Sequence, residues 1–156
     1  MGDVYFKKLF PLGVDAMMES LDLVKAGVKL KHKQNLAEGS YESWFKKDVA
    51  ELDWSKPIAD VYNTIRAANP APGAWCTLKG VKLDIYDAGK VAGSGAPGTI
   101  SAIAPEGITI AGNGGAILVK RVKAPEGKKI AAAEYAAAAG LKVGDRVDPP
   151  APKTAS

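Results

Sequence analysis

The constraint that most narrows the fold lies between Asp53 and Trp75. Ser55 reads as a natural N-cap, and Pro57 is tolerated in a first helical turn, where its missing N–H is not needed. Ile58, Val61, Tyr62 and Ile65 then recur at helical spacing, which predicts an amphipathic helix over residues 55–68. Asn69-Pro70 stops it, because a residue before proline is pushed out of the helical region. After Pro72-Gly73 the apolar period falls to two. Strands are expected at 74–79, 81–86, 99–104, 107–111 and 116–122, with Lys79-Gly80 and Asn113-Gly114-Gly115 as tight-turn signals. Short strands joined by tight turns predict a small barrel.

The flanks are simpler. Phe6, Leu9, Phe10, Val14, Met17, Met18, Leu21 and Val24 form one apolar stripe, which predicts a helix over 4–26 with Gly27 as its stop. Pro11 should kink or break it near Phe10. Residues 28–54 read as a linker. Its Val28–Lys33 run is either a short strand or a basic connector, and the connector is favoured. Residues 130–139 predict a short helix ended by Gly140, which must dock to be stable. Residues 141–147 read as a last extended segment, and 148–156 as a disordered tail. The fold class is therefore α+β, mainly β: an open barrel preceded by helices.

Charge narrows the partners. The net charge is +4, and of 21 basic residues only Arg66, Arg121 and Arg146 are arginines. Lysine is a point charge without the planar fork, so diffuse phosphate attraction fits better than reading of base edges. Candidate contacts are Lys31 and Lys33 (with Lys29 on the same side if extended), Lys46, Lys47, Arg66, Lys120, Arg121, Lys123, Lys128 and Lys129. Simple solubility is the competing reading of such a balance. For Arg66 a salt bridge or a hydrogen bond to nearby carbonyls leads, with phosphate contact second. Trp44 and Phe45 beside Lys46-Lys47 are either a linker anchor or a stacking platform.

Other chemistry is disfavoured. Cys76 is the one cysteine and His32 the one histidine, so an intramolecular disulfide is impossible and a zinc site improbable. Cys76 lies in an apolar–polar alternation and reads as a packed strand residue. Gly93-Ser94-Gly95-Ala96-Pro97-Gly98 matches a dinucleotide-loop pattern, but no helix opens after it to hold a pyrophosphate. Asp48, Glu51 and Asp53 read as solvated surface. No run approaches the ~20 apolar residues of a membrane span, so no membrane partner and a cytoplasmic location are expected.

An ordered set of short motifs carries a resemblance over about residues 2–147. It comprises Leu9-Phe10-Pro11-Leu12-Gly13, Gln34, Tyr41, Asp53-Trp54, Ile65-Arg66-Ala67 and Pro72-Gly73-Ala74. Pro97-Gly98-Thr99-Ile100, Gly127-Lys128-Lys129 and Gly144-Asp145-Arg146-Val147 follow. The set resembles the C-terminal domain of folate-dependent formyltransferases, the family of methionyl-tRNA formyltransferase and the hydrolase part of formyltetrahydrofolate dehydrogenase. The resemblance implies an open barrel similar to an OB fold. It also implies that residues 1–27 correspond to the end of a catalytic domain, with 55–147 as the barrel.

The family's catalytic asparagine, histidine and aspartate, with a His-x-Ser-Leu-Leu-Pro motif, find no match in these residues. No catalytic, cofactor-binding or metal residue is carried over, and 10-formyltetrahydrofolate belongs to the full-length family. The chain alone is expected to be inactive. The leading expectation is an accessory portion that holds an acceptor, tRNA, by diffuse charge. One alternative is part of a formyltetrahydrofolate hydrolase or dehydrogenase, with the barrel serving domain packing. The other is a non-catalytic module that dimerises through its leading helix.

Overall fold

The computed structural model describes residues 2–29, 31–41 and 44–150. Two compact units divide the chain, one over Met1–Trp44 and one over Phe45–Ser156.

The first unit is helical. α1 (Gly2–Val4) runs through a π-helical turn (Tyr5–Leu9) into α2 (Phe10–Lys25). The expected break at Phe10 is instead a widening. The Phe10 N–H bonds back to the Tyr5 carbonyl, five residues earlier. The π turn precedes Pro11, whose ring would crowd the carbonyl four residues back in a regular helix. Pro11 itself is the second residue of α2 and donates no backbone N–H to the preceding turn. The apolar stripe is present and, among the described residues of this unit, uncovered: Phe6 is 71% exposed and Met17 62%. Residues 28–29 and 31–33 lie in neither helix nor strand.

The second unit begins earlier than the expected boundary at 55. Ala50, Leu52 and Trp54 are buried, because residues 50–52 run parallel to the first strand. The Leu52 N–H donates to the Trp75 carbonyl, and the Trp75 N–H donates to that of Ala50. The next helix, α3 (Ile58–Ala68), starts after Pro57 rather than at Ser55. Its first amide, Ile58 N–H, donates to the Asn113 carbonyl in a distant turn. A tertiary partner therefore replaces the side-chain cap, and the Ser55 N–H is taken instead by the Asp53 carboxylate. Ile58, Val61, Ile65 and Ala68 are buried against the sheet, whereas Tyr62 is only half-buried. Each fully buried aliphatic side chain stabilises by about 1.5–3 kcal/mol. Asn69 is extended before Pro70, as proline requires.

The sheet comprises β1 (Ala74–Leu78), β2 (Val81–Val91), β3 (Ile100–Ala104), β4 (Gly107–Gly112), β5 (Gly115–Lys123) and β6 (Ile130–Ala131). The spatial order is β1-β2-β5-β4-β3, all antiparallel, with β6 also paired to β5. Lys79 and Gly80 both have positive φ, the two-residue turn whose twist suits a hairpin. β2 extends five residues past its expected end. Asp87, Gly89 and Lys90 are poor strand formers alone, but β5 supplies them a hydrogen-bonding partner.

The sheet stays open. β1 and β3 do not pair, and residues 146–147 bridge the gap to Leu78 and Thr99. The expected last strand is thus reduced to two bridging residues. Asp148 is anchored too: its N–H donates to the Thr77 carbonyl and its carboxylate accepts from the Gly80 N–H. Pro149 and Pro150 lie in neither helix nor strand, and residues 151–156 of the expected tail lie outside the described residues. The predicted helix over 130–139 opens as β6 and becomes α4 (Ala132–Ala138), which buries Ala132 and Ala136. No described helix is long and apolar enough to cross a membrane.

Candidate nucleic-acid interface

Strand alternation builds the candidate surface. In β1 and β2, Cys76, Leu78, Leu83 and Ile85 point into the core. The alternate positions Trp75, Thr77, Asp84 and Tyr86 face outward and are half-buried. The hairpin register sets Trp75 opposite Asp84, and the β2–β5 register sets Asp84 opposite Lys123. Tyr86 is skipped in the pairing with β5, a bulge that re-aims its side chain.

Lys47 organises this face. Its Nζ donates to the Asp84 carboxylate at 2.6 Å and to the Pro72 and Gly73 carbonyls at 3.0 and 3.1 Å. Its own carbonyl accepts the Trp75 indole N–H at 2.7 Å. The Lys47 charge is therefore committed to the fold, so this residue of the expected patch has a structural job. Tyr86 completes the network. Burial, then the Asp84 charge and the hydrogen bond donated to it, push its phenol above the ordinary value.

Two lysines cover the rings. Lys82 Nζ lies 3.8 Å from the Trp75 ring centroid, and Lys129 Nζ lies 3.6 Å from that of Tyr86. Arg121 donates to the Lys129 carbonyl, which fixes the approach of that segment. A hollow of about 150 Å³ lies on the same face, lined by Lys47, Lys82, Asp84, Lys123 and Glu126 among others. The structure thus joins Lys47, Lys123, Arg121 and Lys129 of the expected set. Lys46, Lys120 and Lys128 are exposed and are not among the residues that line the hollow.

Arg66 sits elsewhere, on α3. Its guanidinium donates to the Asn63 side chain and lies 5.5 Å from the Tyr62 centroid, with Lys90 at 5.7 Å. That is the expected local hydrogen bond, with a side-chain rather than a backbone acceptor. Lys31 and Lys33 belong to the first unit. Trp44 and Phe45 are 85% and 42% exposed, and among the described residues neither ring packs against another ring or a cation.

Sequence reasoning missed Lys82, Lys90, Trp75 and Tyr86 as candidates. The signal was available for three of them. The Lys79-Gly80 turn fixes the hairpin register, and period-two alternation then places Trp75 and Tyr86 on the outer face beside Lys82. Cys76 lies at the opposite pole of this chemistry. Burial pushes its thiol up to about 12, against a smaller opposing effect of Trp54. It is a core residue and no nucleophile at neutral pH.

An open antiparallel sheet packed against two helices, α3 and α4, with lysine-capped aromatics on its outer face, defines a small β-rich module. Residues 45–140 match the family described as formyl transferase, C-terminal domain, and the chain belongs to that family. Methionyl-tRNA formyltransferase from Geotalea uraniireducens is 34% identical over 136 residues, 87% of this chain and 43% of the relative. The enzyme of that name from Burkholderia pseudomallei is 39% identical over 140 residues, 88% of this chain and 42% of the relative. The chain thus spans less than half the length of these curated relatives. A crystal structure of HypX from Aquifex aeolicus superposes with a TM-score of 0.64 at 20% identity, over 85% of this chain and 24% of that one. That likeness shows the fold alone.

Proposed function

We propose that this chain is the C-terminal, acceptor-holding portion of a methionyl-tRNA formyltransferase-like protein, and that it attracts tRNA through diffuse positive charge. The observation that carries the reading is the family match over residues 45–140, together with the similarity to methionyl-tRNA formyltransferases. The lysine-rich outer face supports it, since Lys82, Lys123 and Lys129 are ammonium groups able to neutralise phosphates. On this reading the formyl donor, 10-formyltetrahydrofolate, is held by a catalytic domain of the longer protein. The uncovered stripe of Phe6, Phe10 and Met17 is where that domain packs.

The test is a gel shift with tRNA across a salt series. Each phosphate neutralised contributes a slope of roughly −0.7 to −0.9 in log K against log salt. A slope of about −2 to −4 is expected, and it should shrink by about one unit in Lys123→Gln. Binding that ignores salt would refute the electrostatic reading.

A further inference from the structure

The outer face of β1 and β2 combines four features that ordinary solvation does not require together. Trp75 and Tyr86 lie on one side of the sheet as diagonal cross-strand neighbours, a spacing of about 7–8 Å. Both are held by the one network around Lys47 and Asp84, through the Trp75 indole N–H and the Tyr86 hydroxyl. Each ring is capped by an ammonium, and among the described residues neither Lys82 nor Lys129 forms an ion pair. The lysine-lined hollow lies on this same face.

We propose that this face is a stacking platform for unpaired nucleotides of an RNA strand. The bases lie on Trp75 and Tyr86, and the phosphates take over Lys82, Lys123 and Lys129. An ammonium over a ring is a lid that an incoming strand can lift, because a phosphate offers the lysine a stronger partner than the ring's quadrupole. The base then fills the vacated ring face, a contact open to any base. A double helix presents phosphates but no free base faces, so it gains only the charge term. The Lys47–Asp84 pair keeps the rings apart and in place, so little ordering is needed on binding. The proposal rests on the tRNA-binding reading and deepens it by naming the part of the RNA that is held.

The experiment uses the full chain with two probes of equal phosphate number, a single-stranded oligoadenylate RNA and an RNA duplex. Affinity is measured by fluorescence anisotropy across salt, with folding checked by thermal melts. The single strand should bind about tenfold more tightly or better. Tyr86→Leu and Trp75→Leu should each weaken it by ~5- to 50-fold with the salt slope unchanged, and should leave duplex binding alone. Lys82→Gln and Lys129→Gln should each lower the slope by about 0.7. Should Trp75→Leu melt early, Tyr86→Leu and the lysine variants carry the test. Equal affinity for both probes, or a folded Tyr86→Leu that binds as the parent does, overturns the platform. If salt-dependent tRNA binding persists in that case, the broader reading survives. Absence of salt-dependent binding to any RNA overturns both.

Discussion

Replacing Lys47 by methionine separates a structural lysine from a binding one. The methionine keeps the apolar stem and removes the ammonium. Three donated bonds go with it, to Asp84 and to the Pro72 and Gly73 carbonyls. Hydrogen bonds to charged groups are worth about 1.5–3 kcal/mol each when buried. The Lys47 side chain is 35% exposed and that of Asp84 19%, so water recovers part of the loss. The net cost is then about 2–3 kcal/mol, out of a total near 5–15 kcal/mol for an ordinary domain. At roughly 4–5 °C per kcal/mol for a unit of this size, the melting midpoint should fall by about 8–15 °C. A cycle with Asp84→Asn should show a coupling of about 1–2 kcal/mol. Lys82→Met, which removes only an exposed cation over Trp75, should cost no more than about 1 kcal/mol. Differential scanning calorimetry of the four variants and the parent reads all of this. If Lys47→Met melts within about 2 °C of the parent while tRNA affinity drops tenfold, Lys47 is a surface contact and the assignment fails.

Gly107 follows Pro105-Glu106 at the β3–β4 turn with φ +148, and an added Cβ would clash with the Val119 carbonyl. Gly107→Ala should therefore cost about 3 kcal/mol or more, read by urea denaturation; a variant as stable as the parent would show that β4 and β5 can separate there freely. Asp145 accepts from Lys79 Nζ and from the Lys142 N–H, and these hold its carboxyl below the ordinary 3.8. Its folded value is depressed, so its contribution is fully present above about pH 4 and lost as the pH falls through the folded value. Asp145→Asn should accordingly narrow the stability difference between pH 6 and pH 3, and identical pH profiles for the two proteins would remove Asp145 from the account.

The α3 stripe, its stop at Asn69-Pro70 and the Lys79-Gly80 turn were legible because each is a local consequence of side-chain spacing or of allowed φ. The start of α3 was not. Its cap is the Asn113 carbonyl, more than fifty positions along the chain. Nor were the extension of β2 past Tyr86 and the burial of Ala50 and Leu52, since both depend on a neighbouring strand supplying hydrogen bonds. The charge list shows the same division. Lysine number could be read directly, but whether a given ammonium was spent on a carboxylate, as in Lys47, or on a ring, as in Lys82 and Lys129, could not.

By itself, then, the sequence settled α3, the five main strands, the packed position of Cys76, and the family. Tertiary structure decided which strands pair, that the sheet stays open with residues 146–147 across the gap, and which cations keep their charge free. The physical reason is range. Backbone preference and side-chain periodicity act over a few residues, whereas the partner of a hydrogen bond or a charge is chosen by contacts that exist only once distant segments have met.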